Sequence, residues 1–360
     1  MFDPDKPYND LPLLPQKQNL ETIRVLRKTV SANKALAELK GLGDTIPNQS
    51  MLINLLTLIE AKDSSEIENI ITTHDELFRA FSIQSRNIDP SLKEVLNYRE
   101  AFWAGYNMIS EKGLITTNII CKIQELLLNN TTGIRSLPGT KLKNDRTGKT
   151  IYTPPEGEMV IREKLGNLEH YINSDAVELD PLIKMAVIHY QFEAIHPYYD
   201  GNGRTGRMLN VLYLIYKKLL SLPVLYLSSY IIKNKGAYYN SLIEVTSKNE
   251  WENWILFMLE AVEQTSFDAI GRIRNIRSLM ERTSDQVKTE LPKIYSKELI
   301  EVIFQQPYCK ISHVVEAGIV ARRVASEYLK QLAETGILER RKAGRDVLFI
   351  NKGLYSLLKN

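Results

Sequence analysis

The sequence predicts a mainly α-helical fold that contains one β-hairpin and ends in a winged helix-turn-helix. Apolar residues recur every three or four positions through most of the 360 residues, which is the period of an amphipathic helix. Two short runs between residues 140 and 153 flank a polar turn, as in a hairpin. From about residue 285 the pattern is helix, helix, helix, strand, strand, which is the order of a winged helix-turn-helix.

The helices of the first three quarters of the chain are predicted from apolar spacing. The predicted segments are 20–39, 51–60, 67–81, 94–109, 117–129, 159–173, 180–195, 204–220, 237–245 and 250–269. Residues 1 to about 20 precede them and hold Pro4, Pro7, Pro12 and Pro15. Because proline disfavours regular structure, we expect this segment to lie extended over the surface or to stay loose.

The hairpin is predicted at residues 140–144 and 150–153, around a polar turn of Asp145, Arg146, Thr147 and Gly148. Pro154-Pro155 ends it, since proline cannot continue a strand ladder. A hairpin within a helical domain has no sheet to join. It is therefore either a connection or an exposed edge that another chain can pair with.

The C-terminal region is predicted to form helices at 296–305, 311–316 and 320–335 and strands at 337–341 and 346–350. Residues 285–360 hold 13 basic and 9 acidic residues, a net charge of +4. Much of the positive charge comes from Arg322, Arg323, Arg340, Arg341, Lys342 and Arg345. Such a charge is compatible with DNA binding and equally with a protein-contact or dimerising domain.

Composition excludes several classes of protein. The chain is 44% hydrophobic and 25% charged, which is ordinary for a globular protein, and its net charge of +3 excludes a polycation. Cys121 and Cys309 lie far apart and form no metal-ligand pair. The first residues are polar and acidic, unlike a secretory signal, and the apolar stretch 208–232 is interrupted by charges and a proline. We expect a cytoplasmic protein without a membrane partner.

Residues 195–207 carry the chemistry. A largely apolar helix is predicted to end at His196, because Pro197 disfavours helical geometry at the residue before it. The imidazole then lies at a helix end, where it can face a cleft and act as a general base. Gly201 and Gly203 permit positive φ, so that backbone N–H groups can converge on an anion.

A second helix is predicted to begin near Arg204, which places its positive end at the same anion. Arg204 and Arg207 lie three residues apart and share one face, and their guanidinium groups match phosphate oxygens. Asp200 is placed to hold a divalent cation between phosphates. Together these groups predict a site that transfers a phosphorus-centred group.

Two nucleotide motifs match only in part. Gly201, Gly203 and Gly206 have dinucleotide-fingerprint spacing, but a helix precedes them and no acidic residue lies between Asp200 and Glu244. Residues 148–150 read Gly-Lys-Thr, but Lys143 stands where a P-loop needs its first glycine. Both interpretations are therefore rejected.

Residues 196–207 resemble the signature of Fic (Fido) proteins, His-x-Phe-x-(Asp/Glu)-Gly-Asn-Gly-Arg-x-x-Arg, with Tyr198 in place of phenylalanine. The hairpin followed by two prolines resembles the family's target-docking flap. Residues 64–69, Ser-Ser-Glu-Ile-Glu-Asn, fit the inhibitory pattern (Ser/Thr)-x-x-x-Glu-(Gly/Asn). The resemblance implies an N-terminal helical region at 1–100, a Fic-type helical core with the hairpin flap at 101–280 and a winged helix at 288–360.

The resemblance implies transfer of AMP from ATP to a Ser, Thr or Tyr hydroxyl, with release of pyrophosphate. His196 would be the general base. Asp200 would bind Mg²⁺, and Arg204 and Arg207 would hold the β- and γ-phosphates. The implied ATP-binding set is Asp200, Gly201, Asn202, Gly203, Arg204, Thr205, Gly206, Arg207 and, near the adenine and ribose, Tyr238. The flap residues Ile151 and Tyr152 would flank the acceptor and the nucleotide.

Glu68 is the candidate inhibitory residue, together with Ser64. Asp63-x-x-Glu66 predicts a capping box that starts a helix over about residues 64–78. The predicted buried stripe of that helix is Ile67, Ile70, Ile71, His74, Leu77 and Phe78. The resemblance implies that Glu68 pairs with Arg207 and takes the partner of the γ-phosphate. A solvated glutamate on an amphipathic helix is the alternative.

The implied partners are a target protein with an acceptor hydroxyl, the chain itself as a target, a second copy in a homodimer, and DNA at the winged helix. Other activities remain open for the same core. Glu68 could position a water that removes AMP from a modified protein, or another nucleotide or phosphate donor could be used. A DNA-binding regulator whose core only senses nucleotide is a hypothesis from a different class.

Overall fold

The computed structural model describes residues 2–44, 49–83, 89–144, 147–176, 178–343 and 346–359. Within them the fold is mainly helical, as predicted. The first five helices are α1 Ile23–Asp44, α2 Gln49–Ile67, α3 His74–Ile83, α4 Pro90–Lys112 and α5 Thr117–Leu128. The next six are α6 Glu158–Asn173, α7 Pro181–Ile195, α8 Asn202–Tyr216, α9 Ser228–Lys233, α10 Lys235–Lys248 and α11 Trp251–Glu290. No helix among these residues is both long and apolar enough to cross a bilayer.

Helix α7 lies at the centre of the core, because its mostly apolar side chains are buried on nearly every side. Asp180 caps its first turn, accepting a hydrogen bond from the Leu182 N–H at 2.8 Å. The indole of Trp254 in α11 donates to the Ala186 carbonyl at 2.8 Å. Helix α7 packs against α6, α8 and α11. These contacts fix the position of α7 and therefore of the residue that follows its C-terminal end.

The predicted helix at residues 67–81 is confirmed only from His74 onward, and the single inhibitory helix predicted at about 64–78 is wrong because that segment is divided between α2 and α3. Helix α2 runs through Ser64 to Ile67, and the left-handed backbone of Asn69 (φ 63°) ends it. Helix α3 begins only at His74, where Thr73 and Glu76 cap each other.

Thr73-x-x-Glu76 is thus the real capping box, and the one predicted at Asp63 and Glu66 is wrong. Lys62 holds both of those carboxylates along α2, at 3.5 and 2.6 Å. Ile71, predicted to be buried, is 73% exposed, because it lies in the connection between the two helices.

The predicted hairpin is confirmed but is shorter than expected, with β1 Leu142–Lys143 antiparallel to β2 Thr150–Tyr152. Asp145 and Arg146 of its turn lie outside the described residues. Residues 2–14, here called the N-terminal strap, run along the hairpin and across α6 and α7, as predicted for an extended segment. The strap bonds to the hairpin through the Tyr8 N–H and the Thr153 carbonyl at 3.0 Å.

The C-terminal region follows the predicted winged-helix order, with one additional strand and one additional helix. Its elements are α12 Lys297–Phe304, β3 Tyr308–Cys309, α13 Ile311–Glu316, α14 Arg322–Glu334, β4 Glu339–Ala343, β5 Asp346–Ile350 and α15 Lys352–Lys359. The strand order is β3-β5-β4, and the wing residues Gly344 and Arg345 lie outside the described residues. The carbonyl of Tyr308 accepts from the Ser82 hydroxyl at 2.9 Å, which joins this region to α3.

Candidate active site

His196 lies directly after α7, with left-handed backbone angles (φ 48°, ψ 59°). Its N–H still donates to the Phe192 carbonyl at 3.0 Å, so the helix ends at this residue, as Pro197 predicts. The carboxylate of Glu68 and the backbone of Glu193 both lie near the imidazole.

The turn from His196 to α8 is closed by Asn202. Its side-chain oxygen accepts from the Tyr198 N–H at 2.9 Å, and its amide nitrogen donates to the Tyr198 carbonyl at 2.8 Å. The side chain of Asn202, a predicted ATP ligand, therefore shapes the turn. The ring of Tyr198 is fully buried and its hydroxyl meets the Cys121 sulfur at 3.3 Å, which agrees with the packing role expected of the usual phenylalanine.

Helix α8 begins with an uncapped turn. Gly201 adopts left-handed angles (φ 78°, ψ 8°) and no side chain caps the helix. Its first N–H groups and the positive end of the helix dipole therefore form a site for an anion. Asp200 lies beside this turn with a side chain that is 70% exposed. Among the described residues no cluster of three or more metal-binding side chains occurs.

The two predicted phosphate-binding arginines are both buried on α8. Arg204 is 1% exposed and bonds to Glu94 of α4 and, at 3.3 Å, to Asp200. Arg207 is also 1% exposed, and its guanidinium donates to the Ser64 hydroxyl at 2.9 Å and to the Ser64 carbonyl at 2.8 Å. Thr205 and Gly206, between them, face the core.

Glu68 extends from the C-terminal end of α2 to the first turn of α8. Its Oε1 accepts from Arg207 Nη2 at 2.9 Å. A methyl group added to Gly203 would lie 2.3 Å from that oxygen and 2.9 Å from Arg207 Nη1. The carboxylate of Glu68 therefore occupies the anion site of α8, in a turn where only a glycine leaves room for it.

The charges of the site perturb several pKa values. Burial and the positive charge of Arg135 lower the pKa of His196 to about 4, although Glu68 and Asp200 oppose this. Burial would raise the pKa of Glu68, but Arg207 outweighs it and lowers that pKa. Above pH 5 the imidazole is thus neutral and able to accept a proton, while Glu68 is an anion.

Arg135 is an important residue that the sequence motifs do not reveal. It is fully buried and its side chain donates to the carbonyls of His196 at 2.7 Å, of Ile195 at 3.3 Å and of Pro155. Its own N–H donates to the Pro197 carbonyl at 2.9 Å. Arg135 thus joins the turn after α7 to the end of the hairpin.

A small apolar cleft, with a cavity volume of about 70 Å³, lies between the hairpin and α10. Ile151, Tyr239 and Glu193 are among its lining residues. Tyr152 also lines it, but its hydroxyl is anchored on the Ala194 carbonyl at 2.7 Å. The hydroxyl of Tyr238 lies 2.8 Å from the buried His189, so Tyr238 belongs to the core and its neighbour Tyr239 lines the cleft.

Glu193 lines the cleft, lies close to Gly206 of α8 and was also missed. A methyl group on Gly206 would lie 2.5 Å from its Oε1, and burial raises the pKa of Glu193 to about 8. The sequence could have revealed Glu193 as a candidate site residue, since it is the sole acidic residue of α7. Glu94 could not have been found in this way, because α4 has other acidic residues and the partner of Glu94 lies 110 positions away.

Three family models match this chain. They are the Fic/DOC family N-terminal model at residues 26–107, the Fic/DOC family model at 114–214, and the model described as "Protein adenylyltransferase SoFic-like, C-terminal domain" at 279–354. The second match includes His196 and the whole signature.

Curated relatives are similar over parts of the chain. The protein adenylyltransferase fic-1 of Caenorhabditis briggsae is 26% identical over 152 residues, which are 39% of this chain and 28% of that protein. The protein adenylyltransferase Fic of Drosophila mojavensis is 24% identical over 195 residues, 54% of this chain and 36% of that protein. The matched segments thus span about a third of these relatives' own length.

Solved structures share the fold. A Fic family protein from Desulfovibrio desulfuricans G20 has a TM-score of 0.60 at 18% identity, covering 93% of this chain and 98% of that chain. Fic-1 from C. elegans has a TM-score of 0.53 at 19% identity, covering 70% and 74%. The helical architecture is therefore common to all three proteins.

Proposed function

This chain belongs to the Fic/DOC family, and from that premise we propose that it is an auto-inhibited protein adenylyltransferase. It would move AMP from ATP to a Ser, Thr or Tyr hydroxyl of a protein. The observation that carries the proposal is the carboxylate of Glu68 at the first turn of α8, where it bonds to Arg207. In the proposed function, an internal anion thus occupies the place that phosphates would take.

ATP would bind with its phosphates over the first turn of α8 and its base toward Tyr239. The free N–H groups of the turn, Arg204 and Arg207 would bind the phosphates. Glu193 lines the cleft and also lies close to Gly206 of α8, one residue before Arg207. Tyr238 would support this side of the site from behind through His189 and Trp254.

Asp200 fits a role as the protein ligand of Mg²⁺. Its carboxylate is largely exposed beside the anion site, and Mg²⁺ commonly uses one or two carboxylates together with waters and substrate phosphates. Bound there, the ion would neutralise negative charge on the triphosphate.

His196 would act as the general base. The acceptor oxygen forms a bond to the α-phosphorus of ATP, and the bond from that phosphorus to the oxygen of the β-phosphate breaks. Pyrophosphate leaves with that oxygen, and the hydroxyl proton moves to the imidazole. With a pKa of about 4 the ring is available as a base at neutral pH, and the hydrogen bond from Arg135 to the His196 carbonyl fixes the turn that carries it.

Glu68 would inhibit by competing with the γ-phosphate for Arg207. Ser64 supports this state, because its hydroxyl and carbonyl take the remaining donors of the same guanidinium group. A nucleotide that binds without Arg207 would place its α-phosphorus out of line with the acceptor. Lys235 stabilises the resting state further by donating to the Ile67 carbonyl at the end of α2 at 2.7 Å.

The target would dock along the hairpin, where an extended segment can pair with a strand edge and bring its hydroxyl to His196. Ile151 would face the nucleotide, while the buried Tyr152 would hold the hairpin on α7. The chain itself is a further candidate target, and a second copy in a homodimer is a further candidate partner.

The test uses ATP labelled at the α-phosphate, cell lysate and four proteins: the parent, Glu68→Gly, Glu68→Gly with His196→Ala, and Glu178→Gly. We expect Glu68→Gly to raise protein labelling at least about tenfold, the factor that corresponds to 1.4 kcal/mol. The His196→Ala change should abolish it. Glu178 is exposed and precedes the N-terminal end of α7, whereas His196 follows its C-terminal end, so Glu178→Gly should match the parent. Labelling that is equal in the parent and Glu68→Gly contradicts the inhibitory role.

Other outcomes identify the alternative activities. Labelling from γ-labelled ATP indicates phosphoryl transfer, and release of AMP from a pre-modified target that requires Glu68 indicates the reverse net reaction. A nucleotide-sensing DNA regulator predicts salt-dependent duplex binding that is lost when Arg340 and Arg341 are changed, without covalent labelling. Arg341 already pairs with Glu339 at 3.2 Å and lies 3.7 Å from Asp75 of α3, which favours a protein-contact role for this side chain.

A further inference from the structure

Helix α2 carries a row of polar side chains that ends at the first turn of α8. Glu60, Ser64 and Glu68 recur every fourth position, so they lie along one face of α2 and its C-terminal end. Glu60 is 2% exposed and Ser64 is fully buried. A polar group that is buried without a hydrogen bond costs free energy. The partners of these two side chains therefore show what holds the row in place.

Glu60 is held by residues from two other helices. Ser228 at the start of α9 donates to it twice, from its hydroxyl to Oε1 and from its N–H to Oε2 at 3.3 Å. The hydroxyl of Tyr98 in α4 donates to Oε1 at 3.2 Å. Because Glu60 is an acceptor in all of these contacts, it fixes the direction in which the Tyr98 hydroxyl points its proton.

Tyr98 connects Glu60 to Ser64. Its side chain is fully buried, and its hydroxyl is hydrogen-bonded to the Ser64 side chain as well as to Glu60. The Ser64 hydroxyl in turn accepts from Arg207 Nε at 2.9 Å. Because a guanidinium group can only donate, the Ser64 proton is left for Tyr98 and the Tyr98 proton for Glu60. The hydrogen bonds thus run in one direction, from the Arg207 guanidinium to the Glu60 carboxyl.

We propose that Tyr98 is a positioning residue for the inhibited state, because it aims the Ser64 hydroxyl at Arg207 and so holds the guanidinium against Glu68. This proposal rests on the proposed function, since it takes the pair of Glu68 and Arg207 to be what excludes the γ-phosphate. Without the Tyr98 hydroxyl, the Ser64 hydroxyl can rotate and its bond to Arg207 weakens. Arg207 then passes more readily to a phosphate.

The experiment measures two quantities on the full chain, the Kd of ATP and protein labelling from α-labelled ATP in cell lysate. Tyr98→Phe removes the hydroxyl and keeps the ring that fills the core. We expect it to lower the Kd and to raise labelling about fivefold each, which corresponds to about 1 kcal/mol for one hydrogen bond. In the Glu68→Gly background it should change neither quantity, since the inhibiting carboxylate is gone. In Ser64→Ala, which already lacks the hydroxyl bonded to Arg207, it should add nothing further.

The matched control is Tyr226→Phe. The Tyr226 hydroxyl is also buried and also bonds to α2, meeting the Thr57 hydroxyl at 2.8 Å. Thr57 lies about two turns before Ser64, so this bond supports α2 without facing Arg207. Tyr226→Phe should lower the melting temperature as Tyr98→Phe does, and it should leave the Kd of ATP and the labelling at the values of the parent.

Three results would overturn the proposal. A Tyr98→Phe variant with the Kd and labelling of the parent has no positioning role to lose. An equal rise of labelling in Tyr226→Phe means that any loosening of α2 relieves inhibition. A fall of labelling when Tyr98→Phe is added to Glu68→Gly assigns Tyr98 to nucleotide binding instead.

The two readouts separate this proposal from the proposed function. AMP transfer by Glu68→Gly, with no effect of Tyr98→Phe on labelling or on the Kd, leaves the proposed function standing while the role of Tyr98 fails. A Kd of ATP that depends on Tyr98, without labelling by any variant, gives the opposite combination.

Discussion

Replacement of Arg135 tests how the catalytic turn is held. Arg135→Met removes the charge and all three side-chain hydrogen bonds to the carbonyls of His196, Ile195 and Pro155. Arg135→Lys keeps the charge but replaces the planar fork with a single ammonium group, which cannot reach all three acceptors at once. The pair of variants therefore separates the effect of charge from the effect of hydrogen-bond geometry.

The expected magnitude follows from the buried acceptors. Each buried carbonyl left without a donor costs about 1–3 kcal/mol, so Arg135→Met should lower the free energy of unfolding by roughly 3 kcal/mol or more. At about 2–4 °C per kcal/mol, the melting temperature should fall by roughly 6 °C or more. A shift of about 1 Å at the imidazole would lower kcat on the order of 100-fold.

The pH dependence gives an independent readout. Burial is the main cause of the lowered pKa of His196, and Arg135 is the next. Arg135→Met should therefore raise that pKa from about 4 toward its ordinary value, and the acid limb of kcat/KM should move to higher pH. Arg135→Lys should leave the limb near that of the parent while still lowering the melting temperature. The assay is AMP transfer in the Glu68→Gly background between pH 4 and 8.

The reasoning is refuted if Arg135→Met keeps the acid limb, the kcat and the melting temperature of the parent. A shifted acid limb in both variants would be a different failure, because the Arg135→Lys variant retains the positive charge. It would mean that hydrogen-bond geometry, and not charge, controls the pKa of His196.

Three further predictions concern other parts of the molecule. Gly203→Ala in the Glu68→Gly background should raise the Kd of ATP tenfold or more, because the added methyl group fills the anion site. The control Gly166→Ala, where no atom lies near the added methyl group, should leave that Kd unchanged. Equal Kd values in the two variants would refute this role of the turn. The Tyr198→Phe variant should retain AMP transfer and lose at most about 1 kcal/mol of stability, since it loses one weak contact to Cys121; a tenfold loss of transfer would show that the hydroxyl has a chemical role. The melting temperature should be highest near pH 6–6.5. Below pH 6.5 the unfolded chain binds more protons than the folded one at His74, His189 and His196, whose pKa values are lowered to about 4, 3 and 4, so stability rises with pH there. Between about pH 4.5 and 8 it binds fewer protons at Glu60 and Glu193, whose pKa values are raised to about 8, so these two groups make stability fall as pH rises. Glu60→Gln should flatten the decline above pH 6.5, and an unchanged decline would show that Glu60 is ionised in the folded protein.

Local patterns were sufficient for most helices and for the backbone of the catalytic turn. Pro197 predicts the end of α7 at His196, and Gly201 predicts the left-handed start of α8. These features depend on steric and hydrogen-bonding effects between residues a few positions apart, which the order of residues alone determines. The signature therefore identified most residues that line the anion site.

The boundary between α2 and α3 shows where local patterns fail. Asp63-x-x-Glu66 and Thr73-x-x-Glu76 are equally good capping boxes by sequence. The first lies inside α2, where burial of Ile67 and Ser64 against the core continues the helix through it. The two candidate capping boxes thus have equal support from the local sequence, and packing against residues distant in the chain decides which of them starts a helix.

The sequence by itself determined most of the helices, the hairpin, the winged-helix order and the turn that carries His196. The tertiary structure alone placed Arg135 on the His196 carbonyl, 61 positions away, and Phe2 against Tyr152. Glu68 meets Arg207 across 139 positions; its sequence motif suggested that contact, but only the packing of α2 beside α8 brings the two charges to 2.9 Å. Contacts of this kind depend on how the helices pack, and a buried charge is satisfied by whichever partner that packing brings within reach.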